Sequence, residues 1–84
     1  MSNTVLEDIR GYTRAGRVRF TPHAYFRMRT RHVRHDDAFH ALENVFSCVA
    51  LENDRWRVEG PDLEGDALTL IVVVESGVLV ITLY

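Results

Sequence analysis

Two apolar runs, Ala67–Val74 and Val78–Leu83, separated by Glu75-Ser76-Gly77, constrain the fold more than any other feature of the chain. Both are rich in Val, Ile and Leu, are short, and meet at residues with turn chemistry, so they predict a β-hairpin. They are apolar at nearly every position instead of at alternate ones. One face of such a hairpin can pack on helices, and the other then needs cover as well. Upstream, residues 48–51 and 55–59 are two further strand candidates, bounded by Glu52-Asn53-Asp54 and by residues 60–66. Links this short predict antiparallel neighbours.

The first half of the chain carries helical spacing. Val5, Leu6, Ile9 and Tyr12 recur at helical intervals before Gly16, which predicts a helix over residues 4–14. Residues 17–20 alternate basic and apolar, as a short edge strand does. Thr21-Pro22 then supplies an N-cap and a proline at the first helical position, so a second helix is expected over about residues 22–31. Asp36 and Asp37 suit the start of a third. Its apolar stripe of Ala38, Phe39, Leu42, Val45 and Phe46 predicts an extent to about Val45, with His40 opposite the stripe and facing solvent.

The expected architecture is therefore a single α+β domain over residues 1–84. Two to three helices pack on a twisted antiparallel sheet of four to five strands. A chain of 84 residues supplies too few helices to cover both sheet faces, so a homodimer or a protein partner is expected. No apolar run approaches the roughly 20 residues that span a bilayer. The first residues lack the basic flank and apolar stretch of a secretory signal. The one cysteine, Cys48, lies in an apolar stretch and reads as a buried, inert thiol in a reducing compartment. A cytoplasmic location, with no membrane contact, is the resulting expectation.

Charge divides the chain in two. Between Arg10 and His35 stand eight arginines and no acid, whereas Asp36–Tyr84 carries ten acids and two arginines, Arg55 and Arg57. Such clustering attracts polyanions even when the net charge is −2. The same asymmetry also fits acidic and basic halves that pair across the fold or across a dimer interface. Both readings stay open on the sequence.

Within the basic segment, His23, Arg27 and Arg31 stand at i, i+4 and i+8. On a helix they share an arc of roughly 80° along the boundary of the apolar face. An imidazole beside two guanidiniums suits phosphodiester chemistry. The arginines can hold a phosphate and offset charge that grows in the transition state. The histidine can take a proton from a ribose 2′-OH or give one to the leaving oxygen. Neighbouring cations favour its neutral form, which suits the base role. The same three residues can instead bond strand carbonyls and fix helix against sheet.

His23-Ala24-Tyr25-Phe26-Arg27-Met28-Arg29-Thr30-Arg31, followed by Val33, resembles the HAxxRMxxRxI signature of a small bacterial domain family of unknown function. Members of that family are often encoded near toxin–antitoxin and polymorphic-toxin genes, and their fold is thought to resemble RelE-type ribonucleases. The resemblance runs from about Val18 to Tyr84, through the acidic start of the third helix to the closing Val80-Ile81-Thr82-Leu83-Tyr84. It implies a RelE-like helical layer on a twisted antiparallel sheet. Ribonuclease activity and an antitoxin-like partner follow by analogy. In RelE-like folds residues of the final strand often complete the site, which points to Thr82 and Tyr84. Two positions depart from the family pattern: His32 stands where Gly is usual, and Arg34 where a small cap is common. A Gly there would allow a left-handed helix end, which His tolerates at some cost.

The chain thus reads as a metal-independent ribonuclease toxin with His23 as acid–base group and Arg27 and Arg31 on the phosphate. Thr82 and Tyr84 stand beside them, and Arg17, Arg19 and Arg34 attract RNA. The alternative is a non-enzymatic dimerising or partner-binding module. No cofactor is called for. His23, His32, His35 and His40 match no zinc spacing, so no metal site is expected. Trp56, between Arg55 and Arg57, is expected to point into the core instead of stacking a base. Asp62, Glu64 and Asp66 read as a solvated loop, too short for a calcium site.

Overall fold

A computed structural model describes residues 3–84. Three helices, α1 (Asn3–Arg14), α2 (Pro22–Thr30) and α3 (His35–Glu43), accompany five strands. These are β1 (Val18–Phe20), β2 (Ser47–Ala50), β3 (Arg55–Pro61), β4 (Ala67–Val74) and β5 (Val78–Leu83). They form one sheet in the order β1-β5-β4-β3-β2. No helix among the described residues is long and apolar enough to cross a membrane.

The sheet is mixed, not antiparallel throughout. β2, β3, β4 and β5 pair antiparallel in sequence, whereas β1 lies parallel to β5, Val18 opposite Val78 and Phe20 opposite Val80. Short links dictate direction only for consecutive strands. β1 is separated from β5 by two helices and three strands, and such a crossover permits parallel pairing.

The turns explain the hairpins. Asn53 and Asp54 both adopt positive φ, 62° and 60°, as the central pair of a type I′ turn requires. Ser76 and Gly77 do so before β5, at 55° and 151°. Between β4 and β5 the register slips, Ile71 facing Thr82 but Val72 facing Val80, so Ile81 is the extra residue of a bulge.

One core lies between the helices and one sheet face. Ile9 of α1, Ala24 and Met28 of α2, and Ala38, Ala41 and Leu42 of α3 are buried with Val58, Leu70, Val72, Val80 and Leu83. Trp56 packs against this core from the end of β3, as its alternation with Arg55 and Arg57 predicts. The third helix ends at Glu43, two residues early, because Asn44 takes the C-cap at φ −125°. Val45 is nevertheless buried beyond it.

His40 departs from expectation. It is half-buried, and its Nδ1 donates to the carbonyl of Pro61 at 2.9 Å. One turn earlier, Asp37 accepts from Leu63 N at 3.0 Å and from Arg34 N at 3.1 Å. The helix wheel placed His40 away from the α3 stripe correctly, but the β3–β4 loop folds back over that side. The two main-chain bonds, Leu63 before Arg34, hold the Asp37 carboxyl below its usual range.

Among the described residues the other sheet face carries no helix. Across it, by register, run Arg19, Leu79, Val73 and Arg55, then Thr82, Ile71, Arg57 and Val49. Apolar residues form its centre and arginines its flanks.

Candidate nucleic-acid interface on the second helix

Helix α2 is fixed at both ends. Thr21 caps its start: Oγ1 accepts from Ala24 N at 3.1 Å and donates to Ile81 O at 2.7 Å, while Thr21 N donates to Val80 O. Pro22 follows at the first helical position. At the other end Arg31 is the C-cap and His32 is left-handed, φ 56°. Val33 N donates to Met28 O at 2.8 Å and His32 N to Arg29 O at 3.3 Å, the two bonds of a Schellman motif. The left-handed end is thus present at His32.

This anchoring lays α2 along β5 where β1 has already ended. β1 pairs only with Val78–Val80, so the next carbonyls of β5 would face an open sheet edge. Thr21 takes that of Ile81, and Arg27 takes that of Leu83 through Nε at 3.1 Å.

Ala24 and Met28 are buried, so they define the inward direction of α2. His23, Arg27 and Arg31 lie on one flank of it. His23 and Arg31 are exposed, and Arg27 between them is half-buried. The bond to Leu83 uses one of the five guanidinium N–H donors, leaving the terminal nitrogens to other partners. The stripe is therefore anchored at its centre and open to water at both ends.

On the other flank, about 180° away at 100° per residue, stand Tyr25 and Arg29. With Pro22, Met28, Val33 and His35 they line an open cleft of about 510 Å³. The Phe20 ring supports it: its centroid lies 5.1 Å from His35, edge to face, and 5.5 Å from Tyr25, while Tyr25 and His35 are 5.6 Å apart. Sequence reasoning missed this cleft. Tyr25 and Arg29 stand at i, i+4, but Phe20 and His35 come from β1 and α3 and join them only on folding.

The remaining basic candidates disperse. Arg34 is the N-cap of α3, just past the α2 cap. Arg19 pairs with Leu79 on the open sheet face, and with Arg17 it lines a second depression of about 400 Å³ beside Glu75 and Gly77. Thr82 pairs with Ile71, and Tyr84 exchanges both main-chain bonds with Thr69 at 2.8 Å. Both thus share the sheet face turned from the helices. They flank Leu83, whose carbonyl Arg27 holds from the edge. The structure brings His23, Arg27 and Arg31 together and sets Thr82 and Tyr84 on the other side of that strand end.

Besides Asp37, which accepts from Leu63 N and from the main chain of Arg34, two acidic side chains of the second half accept hydrogen bonds among the described residues. Asp62 accepts from Glu64 N and Asp66 N, both at 2.9 Å, and Glu59 accepts from Thr69 at 3.2 Å. None of these bonds reaches an arginine side chain. Among the described residues no group of three or more His, Cys, Asp or Glu is placed to hold a metal ion. Cys48 is half-buried, and burial pushes its thiol above the ordinary range.

Comparison of the chain with protein-family models, with curated proteins and with solved structures gave no match.

Proposed function

We propose that this chain is an RNA-directed, metal-independent ribonuclease of the RelE-like kind, acting in the cytoplasm as the toxin of a toxin–antitoxin pair. The observation that carries the reading is the stripe itself: an exposed imidazole and an exposed guanidinium flank Arg27, which is held on Leu83 O. Neutral His23 takes the proton of a ribose 2′-OH. The O2′–P bond forms as P–O5′ breaks, and the imidazolium returns the proton to the leaving oxygen. Arg27 and Arg31 bind the phosphate and offset the charge of the crowded phosphorus. The products are a 2′,3′-cyclic phosphate and a 5′-hydroxyl. Thr82 and Tyr84 belong to this reading only if the RNA wraps around the end of β5.

The experiment is expression in bacteria with growth and RNA integrity as readouts. Arrest that His23→Ala and Arg31→Ala relieve, with unchanged circular dichroism and melting, supports the enzyme. A wild-type chain that is harmless and leaves RNA intact excludes it. The second reading, a non-enzymatic dimerising or partner-binding module, draws on the open face of Ile71, Val73 and Leu79 between Arg19 and Arg55. A second copy, or an antitoxin-like protein, would cover those apolar side chains. Sedimentation as a dimer together with harmless expression favours it.

A further inference from the structure

We infer that the outward surface of α2, from the Tyr25/His35 cleft across Phe26 to the His23–Arg31 stripe, is a track for single-stranded RNA that stacks a base in the cleft. The inference rests on the RNA-directed reading above and names the form of the substrate. Around the helix, away from buried Ala24 and Met28, the residues run Tyr25, Arg29, Phe26, Thr30, His23, Arg27 and Arg31. Aromatic and cationic side chains share that surface with Thr30, and α2 carries no acid. Tyr25 is 45% exposed and Phe26 54%, although large aromatic residues on a helix ordinarily turn inward.

The cleft has the make-up of a base site. Met28 and Val33 contribute apolar lining, and Tyr25 and His35 offer ring faces that the Phe20 ring keeps in place. Arg29 sits at its wall, where it can neutralise a phosphate beside the stacked base. A cleft of about 510 Å³ lies within the ordinary range of ligand sites.

Geometry decides for a strand over a mononucleotide or a duplex. Cleft and stripe lie on opposite flanks of a helix roughly 10–12 Å wide with its side chains. The outward path around half of that cylinder is roughly 16–19 Å, and stacked nucleotides advance about 3.4 Å each, so about five of them cross it. A duplex keeps its bases paired and has none to offer the cleft. The charge of the surface, all basic, matches a phosphate chain.

The test uses fluorescence anisotropy with the full chain and a labelled ten-nucleotide 2′-O-methyl strand, which 2′ attack does not cut. The same strand as a duplex and a 2′-O-methyl dinucleotide are the comparisons. The strand is expected to bind more tightly than either. Tyr25→Leu, which keeps bulk over Phe20, Phe26→Ala and His35→Ala are each expected to weaken it about tenfold with the salt slope unchanged. Arg29→Gln is expected to flatten the slope of log K against log salt by about 0.7. Melting of each variant verifies that it is folded.

Equal affinity for strand and duplex overturns the inference. So does wild-type affinity in Tyr25→Leu and His35→Ala, or displacement of the labelled strand by poly-glutamate as effective as by the unlabelled strand. The ribonuclease reading is judged separately. Growth arrest that needs His23 but not Tyr25, with strand binding indifferent to the cleft, leaves the enzyme and removes the track. Cleft-dependent strand binding by a chain that cuts no RNA leaves the track and removes the enzyme.

Discussion

Arg27 donates through Nε to the carbonyl of Leu83 at 3.1 Å, and this single bond ties the middle of α2 to the open edge of β5. It sets apart two arginines that look alike in sequence. Arg31, exposed at the C-cap, has no such anchor to lose.

Replacing them should therefore separate stability from activity. Arg27→Ala is expected to lower stability by about 1–2 kcal/mol, because a part-buried carbonyl loses a charged donor. Arg31→Ala should stay within about 0.5 kcal/mol of the parent, as exposed substitutions do. Urea denaturation of both variants checks this. If the stripe binds phosphate, both also lose RNA cleavage, and Arg31→Ala then loses it at unchanged stability. Equal stability losses would mean that the bond to Leu83 contributes nothing.

The left-handed residue after α2 offers a gain. His32 holds φ 56°, where a Cβ costs about 1–2 kcal/mol that glycine escapes. Part of that is returned through the greater freedom of glycine in the unfolded chain. His32→Gly is expected to stabilise the fold by about 0.5–1 kcal/mol. The measurement is the melting temperature, which should rise by a few degrees for a domain of this size. A fall would show that the imidazole makes contacts worth more than the strain.

Asp37 links stability to pH. Its carboxylate accepts from Leu63 N and Arg34 N, so its folded pKa lies below the unfolded value of about 3.9. A depressed folded pKa contributes stability that is fully present above the unfolded value. That contribution is lost as pH falls through the folded value. Asp37→Asn should accordingly be less stable than the parent at pH 7, by about 1 kcal/mol. The gap should close as acid titrates the parent. Paired urea curves at pH 7 and at steps below the unfolded value measure it, and a gap that does not narrow on acidification would place the cost in shape instead of charge.

Much of this fold was legible because local patterns and tertiary packing agree. Helix α2 starts at Pro22 behind its Thr21 cap and runs to Thr30, one residue short of the expected end, and β4 and β5 have the bounds that their apolar runs predict. Non-local relations were not legible. The parallel pairing of β1 depends on the route of the whole chain, and the His40–Pro61 bond on a loop that returns over α3. The stripe was visible since one helix carries all of it. The cleft was not, because Phe20, Tyr25 and His35 come from three elements and no spacing relates them.

A close approach of helix to sheet gives the last prediction. Gly60 on β3 is buried beneath Ala41 of α3, and a Cβ built there would run into the main chain of Ala41, its carbonyl oxygen first. The obstacle is backbone, which has no rotamer to change, so Gly60→Ala requires α3 to lift as a unit. Overpacking of this sort costs about 1–3 kcal/mol, and more where the neighbour is rigid. Against a total of about 4–13 kcal/mol for a chain of this length, that is a large fraction. Lifting α3 also stretches the bonds from His40 Nδ1 to Pro61 O and from Leu63 N to Asp37, so the Leu63 amide should exchange faster with solvent. Gly11→Ala is the matched control. A Cβ there meets nothing within 4 Å, and within α1 alanine is favoured over glycine by about 0.5–1 kcal/mol. Thermal melts should move in opposite directions for the two variants. If Gly60→Ala melts with the parent, α3 does not rest on β3 at this point.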